Sequence, residues 1–208
     1  MNFRRILSLV FLWQLAASVC YYTVFAATPF FRDEFGLSGA QVGLVLTALS
    51  LGYATFLLPL GAMTDRFGER RMLTVGLLGL SVGSVLVAGA WSYPTLLVGT
   101  FLLGSLYGTA MPGTNKAIFD NVPVGRQNLA VGIKQVGVTA GSGVSALLVT
   151  SIAGVLFWEA GFYVAAVVGF ATAAVFWLAY RGQPVDGDAE YPEFRSLLDN
   201  TPYLSLTV

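Results

Sequence analysis

The sequence predicts an all-α membrane protein with six transmembrane helices, and three observations carry that prediction. Of 208 residues, 56% are hydrophobic and only 11% charged, where a soluble domain has about 45–50% and about 25%. Six windows are long enough to cross the roughly 30 Å of bilayer hydrocarbon, which takes about 20 apolar residues as a helix. The basic residues are also sorted by loop. Arg4, Arg5, Arg66, Arg70, Arg71, Lys116, Arg126, Arg181 and Arg195 fall at the two chain ends or in the loops after the second and fourth windows, and Arg32 alone falls on the other side. By the positive-inside rule this makes both termini cytoplasmic, in a multi-pass protein of the cell membrane, with lipid as its surroundings.

The first window, 6–31, follows Arg4 and Arg5 and so begins as a secretory signal peptide does, with an Ala26/Ala27 pair near its end. It is roughly twice the length of a signal h-region, and Ala17, Ser18 and Val19 make a poor lipoprotein site before Cys20, so it reads as a retained span. The others are 40–64, 72–91, 94–115, 129–157 and 162–180. Trp91, Tyr93 and Trp158 then fall at the outer interface, where amphipathic rings are favoured. Twenty-four glycines, many inside the spans, suit close helix approach in lipid. On span five Gly137, Gly141 and Ser145 recur every four residues and form a small-residue seam, which serves either ordinary packing or a moving contact.

Beyond the spans, 182–193 is acidic and proline-bearing and reads as a cytosolic linker. Residues 194–208 read as the start of a further, interrupted span, so the 1–181 domain is expected to be half of a larger design. Zero net charge argues against nucleic acid. One cysteine and no histidine leave no metal set, no cofactor signature and no visible nucleophile–base pair, so an enzyme is not expected.

Residues 61–71 read GAMTDRFGERR. This resembles the signature of the major facilitator superfamily: glycine, three residues, Asp-Arg, any residue, glycine, any residue, then basic residues, in the cytoplasmic loop after the second span. Residues 31–38 (FRDEFGLS) resemble the family's first external loop, and 158–162 (WEAGF) the entry to its sixth helix. The resemblance implies two inverted three-helix repeats, alternating access around a midplane site, and a second six-helix half, either a missing C-terminal half or a homodimer partner. It also implies a gating latch of Gly61, Asp65, Arg66, Gly68, Arg70 and Arg71, with Asp120 the candidate acid below helix four. In residue terms, Gly61 and Gly68 are expected to permit a tight turn and Asp65 to accept N–H bonds at a helix start. The blander reading is that the basic residues only set topology and Asp65 only caps. Thr100-Phe-Leu-Leu-Gly104 and Gly141-Ser142-Gly143 depart from the arginine and the Gly-Pro that the family's drug antiporters carry there.

Within the spans the only ionisable charge is Lys134, followed by Gln135. A buried lysine facing a cavity attracts a carboxylate or similar anion, and Gln135 adds an amide. Its alternative is to turn its four-carbon stem toward the inner headgroups. Gln14, Tyr21, Tyr22 and Thr23 on helix one and Tyr107 and Thr109 on helix four are further candidates, because those helices line the family's cavity, although a single hydroxyl in a span more often bonds its own helix backbone. No carboxylate falls inside a span, so a coupling proton has no evident membrane-depth acid here. The expected function is secondary transport of a small solute, with an organic anion as the specific candidate. The alternative is a non-transporting sensor or regulatory subunit with the same fold.

Overall fold

The computed structural model describes residues 2–153 and 156–182, and their regular structure is helical throughout. Eight α-helices follow one another: α1 (Phe3–Ala26), α2 (Thr28–Phe35), α3 (Gly39–Phe67), α4 (Glu69–Ala88), α5 (Tyr93–Tyr107), α6 (Ala110–Asn121), α7 (Gln127–Ala153) and α8 (Glu159–Ala179). A 3-10 turn, Val124–Arg126, precedes α7. Among the described residues six spans are long and apolar enough to cross a membrane, with α5 and α6 forming the fourth. The linker and further-span expectations fall, apart from Gly182, outside the described residues.

Two spans differ from the sequence reading. The first apolar window contains a break at Ala27, after which α2 starts with Pro29 in its first turn. Proline has a preset φ and no N–H, so it is well placed there. Helix α2 ends at Gly36 in the left-handed conformation, φ +61°, and Ser38 then opens α3 with a reciprocal capping box. Gln41 N–H donates to Ser38 Oγ at 3.3 Å and Ser38 N–H to Gln41 Oε1 at 2.9 Å. The fourth span breaks at Gly108–Thr109, where the Gly108 and Thr109 N–H groups turn back to Ser105 and Leu106. The cause lies downstream: Pro112 has no N–H for the Gly108 carbonyl, and its ring crowds that carbonyl.

The spans pair in a definite pattern. Span one packs chiefly on span five, span two on span four, and spans three and six on each other. Glycines set the closest crossings. A Cβ on Gly104 would fall on the Leu49 carbonyl, and one on Gly52 on the Phe101 carbonyl, so α3 and α5 meet almost backbone to backbone. The span-five seam does the same for α1: a Cβ on Gly141 would sit 2.6 Å from Ser18 Cβ, and one on Gly137 3.2 Å from the Phe11 carbonyl. In lipid, where apolar surface gains little by leaving the solvent, such close van der Waals approach is a main source of cohesion.

The three aromatic residues assigned to the outer interface differ in their surroundings. Trp91 is 82% exposed. Tyr93 instead donates to the Gln41 carbonyl at 3.2 Å. Trp158 is buried, edge-on to Phe31 at 5.1 Å and to Phe162 at 5.8 Å, so it packs against α2 rather than facing headgroups.

Candidate substrate cavity

Gln14 and Tyr21 are spaced for one face of α1, and both line a cavity of about 440 Å³ between α1, α3, α5, α6 and α7. Tyr21 and Tyr107 stack on each other in its wall, with ring centres 4.2 Å apart and planes 23° apart. The Tyr107 hydroxyl shares a hydrogen bond of 3.1 Å with Ser18 Oγ and accepts from Gln14 Nε2 at 3.3 Å. Tyr53 adds a third ring, 5.8 Å from Tyr107.

Opposite the tyrosines, α7 supplies Lys134 and Gln135. Lys134 is only 5% exposed and donates to Asn115 Oδ1 at 2.7 Å. Its ammonium therefore takes the cavity placement, not the one at the inner headgroups. Gln14, Tyr21, Tyr22, Tyr107, Lys134 and Gln135 line this one cavity, whereas the Thr23 and Thr109 hydroxyls donate to the Val19 and Leu106 carbonyls of their own span. Asn115, Tyr53 and Met111 line it too and were not singled out from sequence. Asn115 falls at the predicted edge of its span, and the other two sit in apolar runs without a charge to draw notice.

At the α3–α4 junction, the glycine-basic segment differs in detail from its expected turn. Gly68 alone makes it, with φ +82° between α3 and α4. Gly61 lies inside α3, where a Cβ would be 3.7 Å from Pro112, an ordinary packing distance. Asp65 sits in the last turn of α3, and α4 has no side-chain cap, so Asp65 does not cap a helix start. Asp120 pairs with Lys116 at 3.1 Å, one helical turn away on α6. The Arg66 guanidinium lies 5.2 Å from the Phe67 ring centre, and Arg71 is exposed. Arg70 donates to the Trp177 carbonyl at 2.6 Å and covers the Trp177 ring at 4.2 Å, fastening α4 to α8. Sequence reasoning missed Glu69, a carboxylate only 1% exposed that accepts from Tyr180. Its position inside an otherwise basic run hid it.

A family model for the Major Facilitator Superfamily matches residues 10–206. The chain belongs to the Major Facilitator Superfamily. Among curated relatives, the hexuronate transporter of Bacillus subtilis is 28% identical over 170 residues, which cover 82% of this chain and 40% of that protein. The probable sulfoacetate transporter SauU of Cupriavidus necator is 29% identical over 179 residues, 86% of this chain and 42% of that protein. The chain thus spans about two fifths of the length of these relatives. Its fold matches the crystal structure of a bacterial homolog to the human lysosomal transporter Spinster, in an inward-facing and unoccupied conformation. There the TM-score is 0.78 at 20% identity, over 100% of this chain and 52% of that one. As a superfamily member with six apolar spans, the chain is a membrane-embedded protein of a transporter family.

Proposed function

We propose that this chain forms one wall of the pathway of a secondary transporter that carries a small organic anion, with Lys134 as the anion's counter-charge. The observation that carries the reading is the Lys134 ammonium, buried in a cavity whose other polar lining is tyrosine and amide. A buried cation without a carboxylate partner is costly, and an anionic solute supplies the missing charge on arrival. Gln135 and Gln14 offer amide hydrogen bonds, and Tyr21, Tyr22 and Tyr107 offer ring faces and hydroxyls to the body of the solute. The names of the hexuronate and sulfoacetate relatives agree with an anionic cargo.

The pairing of spans one with five, two with four, and three with six is what an exchange of two three-helix repeats demands, and it supports an inverted-repeat design. A second six-helix bundle, in the same polypeptide or a partner copy, closes the cavity, and the two rock about it to give alternating access. The Gly68 turn with Asp65, Arg66, Arg70, Arg71 and Asp120 lies at the cytosolic face as its gate, and both termini are cytoplasmic in the cell membrane.

Calorimetry on the detergent-purified chain tests the reading, with glucuronate and sulfoacetate as probes and neutral glucose as the control. Saturable binding of an anion, absent for glucose and lost in Lys134→Ala, is expected. Binding unchanged by Lys134→Ala, or equal binding of glucose and glucuronate, overturns it.

A further inference from the structure

Lys134 lies about two turns into α7 from Gln127, a depth from which a lysine stem can still reach the inner surface. What keeps it in the cavity comes from a different span: Asn115 of α6, whose Oδ1 accepts from Lys134 Nζ at 2.7 Å. Lysine has donors only, so the amide oxygen must face it, which turns the amide N–H₂ elsewhere. No described residue accepts from that N–H₂, and Asn115 itself lines the cavity. The identity of the partner matters. A carboxylate at this distance would cancel the ammonium, whereas a neutral amide holds it with its charge intact. Among the described residues that line the cavity, Lys134 alone is charged.

We propose that Asn115 is a binding and positioning residue of the anion site: its oxygen aims the Lys134 ammonium into the cavity without neutralising it, and its N–H₂ donates to the same anion. This inference rests on the cavity reading above, and the break at Gly108–Thr109 is what gives α6 a course of its own from which Asn115 faces Lys134.

The decisive comparison is Asn115→Asp against Asn115→Ala, with glucuronate binding measured by calorimetry on the purified chain. Thermal unfolding is followed in parallel through labelling of the buried Cys20. Asn115→Ala removes the tether and is expected to weaken binding about tenfold. Asn115→Asp keeps a partner for Lys134 and so keeps the unfolding midpoint, yet cancels the charge, and is expected to weaken binding about 100-fold or more. A purely structural tether predicts the reverse for Asn115→Asp, namely binding like the unaltered chain, and that result overturns the proposal even if Asn115→Ala fails to fold. Binding unchanged in Lys134→Ala overturns the cavity reading itself, whatever the Asn115 variants do.

Discussion

The Tyr180 hydroxyl donates to Oε1 of Glu69 at 3.0 Å, joining the end of α8 to the start of α4 at one end of the bundle. Asn121 Nδ2 donates to the same hydroxyl at 3.1 Å, so the end of α6 joins the pair. Glu69 also stands in the first turn of α4, where its charge favours the helix dipole. Three spans thus share one buried polar junction, while the partly exposed Lys116–Asp120 pair stays within a single helix.

Tyr180→Phe therefore removes a donor from a buried carboxylate and is expected to cost on the order of 1–2 kcal/mol. Asp120→Asn breaks a partly exposed pair one turn apart and is expected to cost less than about 0.5 kcal/mol. Cys20 is the sole cysteine and is buried, so its reaction with a thiol-reactive dye on heating in detergent measures both. Equal midpoints for the two variants would refute the ranking.

Helix crossings give a second contrast. Gly104→Ala drives a methyl onto the Leu49 carbonyl and must push α3 away from α5, at a cost of about 1–3 kcal/mol. Gly43→Ala lies in α3 with nothing within 4 Å of the added atom, and is expected to be neutral or to gain up to about 1 kcal/mol. The same unfolding assay reads the difference.

The tyrosine wall predicts a split between ring and hydroxyl. Tyr107→Phe keeps the stack on Tyr21 but drops its bonds to Ser18 and Gln14, so anion affinity should fall about three- to tenfold while the unfolding midpoint moves little. Tyr107→Ala also removes the ring and should lower both. Calorimetry with glucuronate separates the two cases.

Orientation is testable on a Cys20→Ala background. Gly125→Cys, in the turn before α7, should react with a membrane-impermeant maleimide only in inside-out vesicles, and Trp91→Cys, between α4 and α5, only in right-side-out ones. The opposite pattern would invert the proposed topology.

The spans were legible because each is an apolar run of the length a bilayer demands, with basic loops between. The break after Tyr107 was not, since Pro112 acts on a carbonyl four residues away inside an unbroken apolar window. The glycine-basic segment showed its place in the chain but not its shape. Gly68 needs its positive φ, whereas Gly61 serves packing against Pro112, and spacing alone treats the two alike. Lys134 stood out as a lone charge, and the tyrosines and glutamines by polarity. That these six residues, from three helices, meet at one cavity depends on the glycine crossings, which a reading of single spans does not assemble. Asn115 was missed for a related reason: a neutral amide at a span's edge gains meaning only from the ammonium that faces it. Trp158 went astray because Phe31 and Phe162 cover a ring that its position alone assigns to the interface.

The chain has only two lysines, Lys116 and Lys134, so ¹⁵Nζ-lysine labelling yields two signals, and a Lys116→Arg variant assigns them. Solid-state NMR of the chain in lipid with glucuronate ¹³C-labelled at its carboxylate then measures the contact directly. The account predicts a ¹⁵N–¹³C dipolar contact at Lys134 of the range of a charge-assisted hydrogen bond, N to O about 3 Å, and none at Lys116. A saturating anion that contacts only Lys116, or neither lysine, would contradict it.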